Sequence, residues 1–142
     1  MPRDRVTAAQ RKIVIEQAKG CCEYCQCQAR FSPDPFAVEH IIPLYAGGKT
    51  VLDNLALSCL GCNGHKATKT SAVDPGTNLE TLLFHPRQHR WQEHFAWNEL
   101  VTHIVGLTPI GRTTIGALQL NREELINLRQ ILSFAGVHPP QA

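Results

Sequence analysis

Apolar positions recur at helical spacing near the start of the chain and predict an amphipathic helix there. Thr7 stands immediately before this segment and Gln10 follows three residues later, which is the spacing of a capping box. Gly20 ends the pattern, as glycine commonly does just after a helix. The apolar stripe of this predicted helix consists of Ile13, Val14 and Ala18.

Two short apolar segments in the middle of the chain predict strands. The first covers residues 36–42 and ends at Pro43, because proline cannot donate a hydrogen bond to a neighbouring strand. The second covers residues 53–58, and the pair Gly47-Gly48 between the two segments predicts a turn. Residues 63–67 then predict the start of a short helix, so the expected order is strand, strand, helix.

A second hairpin is predicted further along the chain. Residues 91–97 and 102–107 have the composition of strands, and they flank a polar turn at Asn98 and Glu99. The predicted fold class is α+β.

Two helices are predicted near the C-terminus. Thr108 can cap the first, which has Pro109 at its opening position and runs to Leu118. Asn121 is the predicted cap of the second, and Glu124 completes a capping box. The expected buried stripe of the last helix consists of Leu125, Leu128, Ile131 and Leu132.

Length and charge narrow the class of protein only slightly. The 142 residues suit one compact domain, and the net charge of +2 permits nucleic-acid binding without arguing for it. The N-terminal segment is charged and lacks the apolar stretch of a secretory signal, and no apolar run is long enough to span a bilayer. We therefore expect a soluble, cytoplasmic protein without membrane contact.

The cysteine spacing is the most specific signal. Cys22 and Cys25 form one CxxC pair, and Cys59 and Cys62 form another. Two such pairs can supply four thiolates to one ion, which describes a closed structural zinc site. A reducing compartment favours this interpretation over disulfides. Cys21 and Cys27 are left over, and Cys21 is a weak competitor of Cys22 because three residues separate it from Cys25.

The residues between the two cysteine pairs carry a second signal. They read Glu39-His40-Ile41-Ile42-Pro43, then Gly47-Gly48, then Asp53-Asn54, and Asn63-Gly64-His65 follows the last cysteine. This combination resembles the HNH endonuclease family, in the version where two CxxC pairs bracket a ββα-metal finger. The resemblance implies a single domain over residues 1–142. Residues 7–70 would form the zinc-stapled core, with the hairpin and helices of residues 80–138 packed on it.

The resemblance also implies catalytic roles. His40 would be the general base of phosphodiester hydrolysis, a role that suits a neutral imidazole near pH 7. Asn54 would hold the histidine ring in position. Glu39 would bind the catalytic metal ion, although consecutive residues of a regular strand face opposite ways. Glu39 and His40 can therefore share a site only where the strand twists or ends.

The third position of the motif departs from the family. Many relatives have histidine directly after the last cysteine, whereas this chain has Asn63 there and His65 two residues later. Helix positions two apart point in nearly opposite directions, about 200° apart, so both cannot bind one ion. Spacing favours Asn63, whose oxygen together with Glu39 suits Mg²⁺ or Mn²⁺, and His65 is the alternative ligand.

Four basic residues are candidate phosphate contacts, while the nearby tryptophans are expected in the hairpin core. The candidates are Lys66, Lys69, Arg87 and Arg90. The predicted partner is nucleic acid, with DNA as the expected substrate. One alternative is a non-catalytic zinc module that binds nucleic acid or protein, which would not need an intact His40 and Asn54. Another is a redox protein, which would need exposed, reactive cysteines.

Overall fold

The computed structural model describes residues 5–141, so the outermost ends of the predicted single domain lie outside it. Helix α1 covers Ala8–Gln17, and the capping box between Thr7 and Gln10 is present as predicted. Val14 is fully buried, as expected, but Ile13 is 39% exposed and contributes little to the core.

A strand–strand–helix unit follows, in the predicted order. Strand β1 covers Ala37–His40 and pairs antiparallel with β2, Leu55–Ser58. His40 lies opposite Leu55 in this register. Helix α2 covers Leu60–Lys66, and the Cys59 sulfur accepts from the Cys62 amide at its start. The two strands are shorter than predicted, because Ile41 and Ile42 lie in a bend after β1 and Leu52–Asn54 forms a 3₁₀ turn before β2.

The hairpin that follows α2 was not predicted from the sequence. It consists of β3, Ser71–Val73, and β4, Glu80–Leu82, which pair antiparallel. Asp74 follows β3 and is fully buried, where its carboxylate receives two hydrogen bonds from Arg112, at 2.9 and 3.1 Å. The hairpin is thereby tied to the C-terminal half of the chain.

The predicted hairpin at residues 91–107 is present, but its first strand is shorter than expected. Trp91–His94 forms a single helical turn, α3, and only Phe95–Trp97 is strand, β5. Strand β5 pairs with β6, Ile104–Gly106.

Two C-terminal helices complete the fold. Helix α4 covers Pro109–Leu118, with the predicted Thr108 cap and proline at its first position. Helix α5 covers Glu123–Phe134 and begins one residue later than predicted, after Arg122. Asn121 does not cap it, because its amide pairs with the backbone of Ile104 in β6.

The buried stripe of α5 also differs from the prediction. Leu125 and Leu132 are buried as expected, but Ile131 is 66% exposed. Arg129 takes a buried place instead, because its guanidinium donates to the carbonyl oxygens of Thr102 and Leu120. Buried hydrogen bonds of this kind allow a charged side chain to occupy a core position.

One hydrophobic core connects the two parts of the chain. It contains residues of the N-terminal part such as Val14 and Leu57, and residues of the C-terminal part such as Phe95 and Leu118. Within the described range, residues 5–141, no helix has the length and apolar character that a bilayer crossing requires.

Candidate active site and metal centre

The four cysteines of the two CxxC pairs meet in one buried cluster. The sulfur atoms of Cys22, Cys25, Cys59 and Cys62 all lie within 4.8 Å of one another. The first pair lies in the turn after α1, and the second lies at the junction of β2 and α2. Cys21 and Cys27 are outside this group, as the spacing predicted.

The geometry of the cluster fits a tetrahedral metal ion. Zinc–sulfur bonds of about 2.3 Å place the sulfurs of a tetrahedral site about 3.8 Å apart. The Cys25 and Cys59 sulfurs are 3.7 Å apart. All six cysteines are free thiols, and shared hydrogen bonds with Cys22 and Cys25 lower the pKa of Cys59. The cluster can therefore hold a zinc ion.

Arg122 lies against the sulfur cluster and was not anticipated from the sequence. Its Nη1 is 3.5 Å from the Cys62 sulfur and its Nη2 is 3.5 Å from the Cys59 sulfur. Backbone amides of Cys25 and Cys62 also point at cluster sulfurs, at 3.5 and 3.4 Å. These donors stabilise the negative charge of thiolates, as outer partners of metal sites commonly do.

A separate open cleft brings the central motif residues together. Its volume is about 410 Å³. Its walls include Glu39, His40, Leu44, Tyr45, Asn63 and Thr68. Strand β1 ends at His40. The alternation of a regular strand stops there, so Glu39 and His40 can border one cavity. The cleft lies beside α2, so the second cysteine pair helps to fix its wall.

The His40 ring is hydrogen bonded to a residue that the motif did not indicate. Nε2 of His40 lies 2.8 Å from the hydroxyl oxygen of Thr50. The carbonyl oxygen of Thr50 in turn accepts from the Gln10 side chain at 3.1 Å. The imidazole is therefore connected through the loop to the first turn of α1.

Asn54 has a different role from the one predicted by resemblance. Its Oδ1 accepts from the Ile42 amide at 2.9 Å, and its Nδ2 donates to the carbonyl oxygens of Ile42 and Lys49. These bonds close the loop between β1 and β2, whereas the His40 ring shares a hydrogen bond with the Thr50 hydroxyl. A Cβ at Gly48 would collide with the Ile42 carbonyl, so the closed loop requires glycine there.

Glu39 is held in a buried polar cluster beneath the cleft. The residue is 7% exposed, its Oε1 is 3.3 Å from the Lys66 ammonium, and its Oε2 accepts from the Tyr24 hydroxyl. Burial raises the pKa of Glu39 to about 7, although Lys66 and Tyr24 act in the opposite direction. A carboxylate has about four lone-pair sites, so these two contacts leave acceptor capacity for a hard cation.

Asn63 and His65 are separated by the helix, as the spacing argument requires. Asn63 lies in α2 and borders the same cleft as Glu39 and His40. His65 is exposed and does not line that cleft. Carboxylate and amide oxygens are suitable ligands for Mg²⁺ or Mn²⁺. Glu39 and Asn63 both border the cleft, and their oxygens are the candidate donors to such an ion.

The four predicted phosphate contacts occupy two kinds of position. Lys66 is 1% exposed and donates to the Ile41 carbonyl, so its predicted surface contact with phosphate needs correction. Arg87 forms a two-point ion pair with Glu23, at 2.6 and 2.8 Å, and is likewise committed inside the fold. Lys69 and Arg90 are exposed and stay candidates for phosphate contacts.

Three residues of the site were missed from the sequence: Tyr24, Thr50 and Arg122. Tyr24 lies inside the first CxxC pair, but its spacing does not indicate a contact with Glu39. Thr50 and Arg122 reach their partners only through the loop and through the packing of α5. No local sequence pattern could have identified either contact.

Comparison with known proteins gives two similarities. The family model described as HNH endonuclease matches residues 22–69, which include both cysteine pairs and the cleft residues named above. The Septu protein PtuB of Bacillus thuringiensis is 27% identical over 122 residues, which is 84% of this chain and 44% of that protein. The chain thus spans less than half the length of this curated relative. No solved structure matches.

Proposed function

We propose that this chain, which contains an HNH endonuclease domain at residues 22–69, hydrolyses phosphodiester bonds of nucleic acid. The observation that carries the proposal is the shared cleft. His40, Glu39 and Asn63 come from a strand and a helix, and all three border the same open cavity. A positioned base beside hard oxygen ligands is the arrangement that metal-assisted hydrolysis requires. DNA is the expected substrate, and the cytoplasm is the proposed location.

In the proposed mechanism His40 accepts the proton of the attacking water. One ring nitrogen, Nε2, is occupied by Thr50 at 2.8 Å. The imidazole takes the proton as the water oxygen forms its bond to phosphorus and the bond to the leaving oxygen breaks. Asn54 contributes indirectly, because it fixes the loop that carries Thr50.

Glu39 and Asn63 would hold a Mg²⁺ or Mn²⁺ ion at the cleft. Such an ion supplies positive charge near the scissile phosphate and the leaving oxygen. The four-cysteine cluster would hold a structural zinc ion, which leaves no open ligand position for catalysis. Lys69 and Arg90 are proposed to contact phosphates at a distance from the reacting group.

The direct test compares the parent protein with His40→Ala on DNA and RNA substrates, with Mg²⁺, Mn²⁺ or EDTA. We expect the substitution to lower the cleavage rate by about 10² to 10⁴ while the bound zinc and the melting temperature stay unchanged. His103→Ala is the matched control, because His103 is exposed on the β5–β6 turn, outside the cleft. Equal cleavage by parent and His40→Ala would refute the assignment. Binding without cleavage under every metal condition would favour the non-catalytic module.

A further inference from the structure

We propose that Thr50 is a positioning residue that sets the orientation and tautomer of the His40 ring. The inference rests on the proposed nuclease function. It assigns to Thr50 the task that the resemblance assigned to Asn54, whose side-chain oxygen and nitrogen both bond to the loop backbone. Thr50 lies outside the HNH motif positions and reaches His40 across the loop between β1 and β2.

The contact is short and is held from both sides. The Thr50 hydroxyl oxygen is 2.8 Å from Nε2 of His40, and the Thr50 backbone carbonyl accepts from Nε2 of Gln10 at 3.1 Å. Gln10 is itself fixed, because its Oε1 accepts from the Thr7 amide at 2.9 Å. The Thr50 backbone is therefore tied to the capping box of α1 as well as to the loop.

The chemistry of imidazole explains why this contact matters. A neutral imidazole carries one proton, and the nitrogen without it is the base. If Thr50 accepts a hydrogen bond from Nε2–H, the lone pair resides on Nδ1, which is the state that can deprotonate water. Loss of this acceptor removes its bias toward the Nε2–H tautomer and toward one ring orientation. A misplaced catalytic group typically costs up to about 100-fold in rate.

The first experiment measures single-turnover cleavage by Thr50→Val, which removes the hydroxyl and keeps the branched shape. We expect the rate at saturating substrate to fall by about 10- to 100-fold while the substrate concentration for half-maximal rate stays near the parent value. Thr50→Ser retains the hydroxyl and should restore most of the rate. A valine variant as fast as the parent, or a serine variant as slow as valine, would overturn the proposal.

A double-substitution cycle separates positioning from general support of the fold. Thr50→Val should slow cleavage in the parent but have no further effect in the His40→Ala background, because the ring that it positions is absent. An equal loss in both backgrounds would show that Thr50 acts through the structure and would refute the proposal. Thr50→Ala serves as the second variant if valine lowers the melting temperature.

A spectroscopic measurement tests the contact independently of activity. Long-range ¹H–¹⁵N NMR of the histidine rings, at a pH where they are neutral, reports which nitrogen of His40 carries the proton. We expect the proton on Nε2 in the parent and in Thr50→Ser, and a mixture of tautomers in Thr50→Val. The same spectrum in parent and valine variant would overturn the positioning role. If the parent shows this tautomer pattern but cleaves no substrate, the nuclease proposal fails while the Thr50–His40 contact stands.

Discussion

Replacement of Asn54 by alanine tests whether this residue closes the loop between β1 and β2 or holds the catalytic ring. The side chain is 8% exposed and makes three hydrogen bonds, two to Ile42 and one to the Lys49 carbonyl. A buried hydrogen bond contributes about 1 kcal/mol net, so their loss corresponds to about 3 kcal/mol. The Ile42 amide and carbonyl would also lose their side-chain partners.

The assay is guanidinium unfolding of the zinc-loaded protein, followed by the fluorescence of the half-buried Trp91 and Trp97. We expect Asn54→Ala to lower the unfolding free energy by about 2 to 4 kcal/mol and to speed hydrogen exchange of the Ile42 amide. Asp53→Ala is the matched control, since Asp53 is the exposed neighbour and its replacement should change stability by less than about 0.5 kcal/mol.

The two roles predict different results. If Asn54 closes the loop, Asn54→Ala should lower stability and activity together, because the displaced loop also carries Thr50. If it only held the ring, activity would fall while the unfolding free energy stayed at the parent value. A stability change below about 1 kcal/mol, with unchanged exchange at Ile42, would refute our reasoning.

Three further predictions concern metal and protons. Cys59→Ser should remove the bound zinc, as measured by metal analysis. It should also abolish cooperative unfolding, because the free energy of metal binding contributes to folding. A folded, zinc-loaded variant would contradict this. Burial raises the pKa of Glu39 to about 7, above its unfolded value, so the folded state binds more protons and loses stability as pH rises. Urea titrations between about pH 5 and 7 should show this decline in the parent relative to Glu39→Gln, and equal slopes would refute it. Asn63→Ala should raise the Mg²⁺ or Mn²⁺ concentration needed for cleavage and His65→Ala should not, whereas a shift for His65→Ala alone would reverse the ligand assignment.

Two local sequence signals predicted the local structure correctly. The capping box of Thr7 and Gln10 and the Thr108-Pro109 helix start depend only on residues within one turn, and both are present. The buried stripe of α5 depends on distant partners. Arg129 is buried because Thr102 and Leu120 offer carbonyl acceptors, and no helical periodicity could reveal them.

The same distinction holds for the candidate site. The motif residues Glu39, His40 and Asn63 border one cleft, because their spacing is part of a short strand–strand–helix unit. The resemblance predicted Asn54 as the partner of the His40 ring, but the ring contacts Thr50, and this contact arises from the path of the loop. The predicted phosphate contact of Lys66 was wrong for a related reason. The Lys66 ammonium points inward to the Glu39 carboxylate, and hydropathy would place both groups at the surface.

The position of Arg122 has a consequence for anyone who excises the HNH finger as a minimal module. A piece covering residues 22–69 would contain all four cysteines but neither Arg122 nor Arg87. The first of these arginines donates to the sulfurs of Cys59 and Cys62, and the second pairs with Glu23 inside the first cysteine turn. We therefore expect the metal affinity of the four-cysteine cluster to depend on residues beyond 22–69, and a transplanted finger to need substitute cations beside its thiolates.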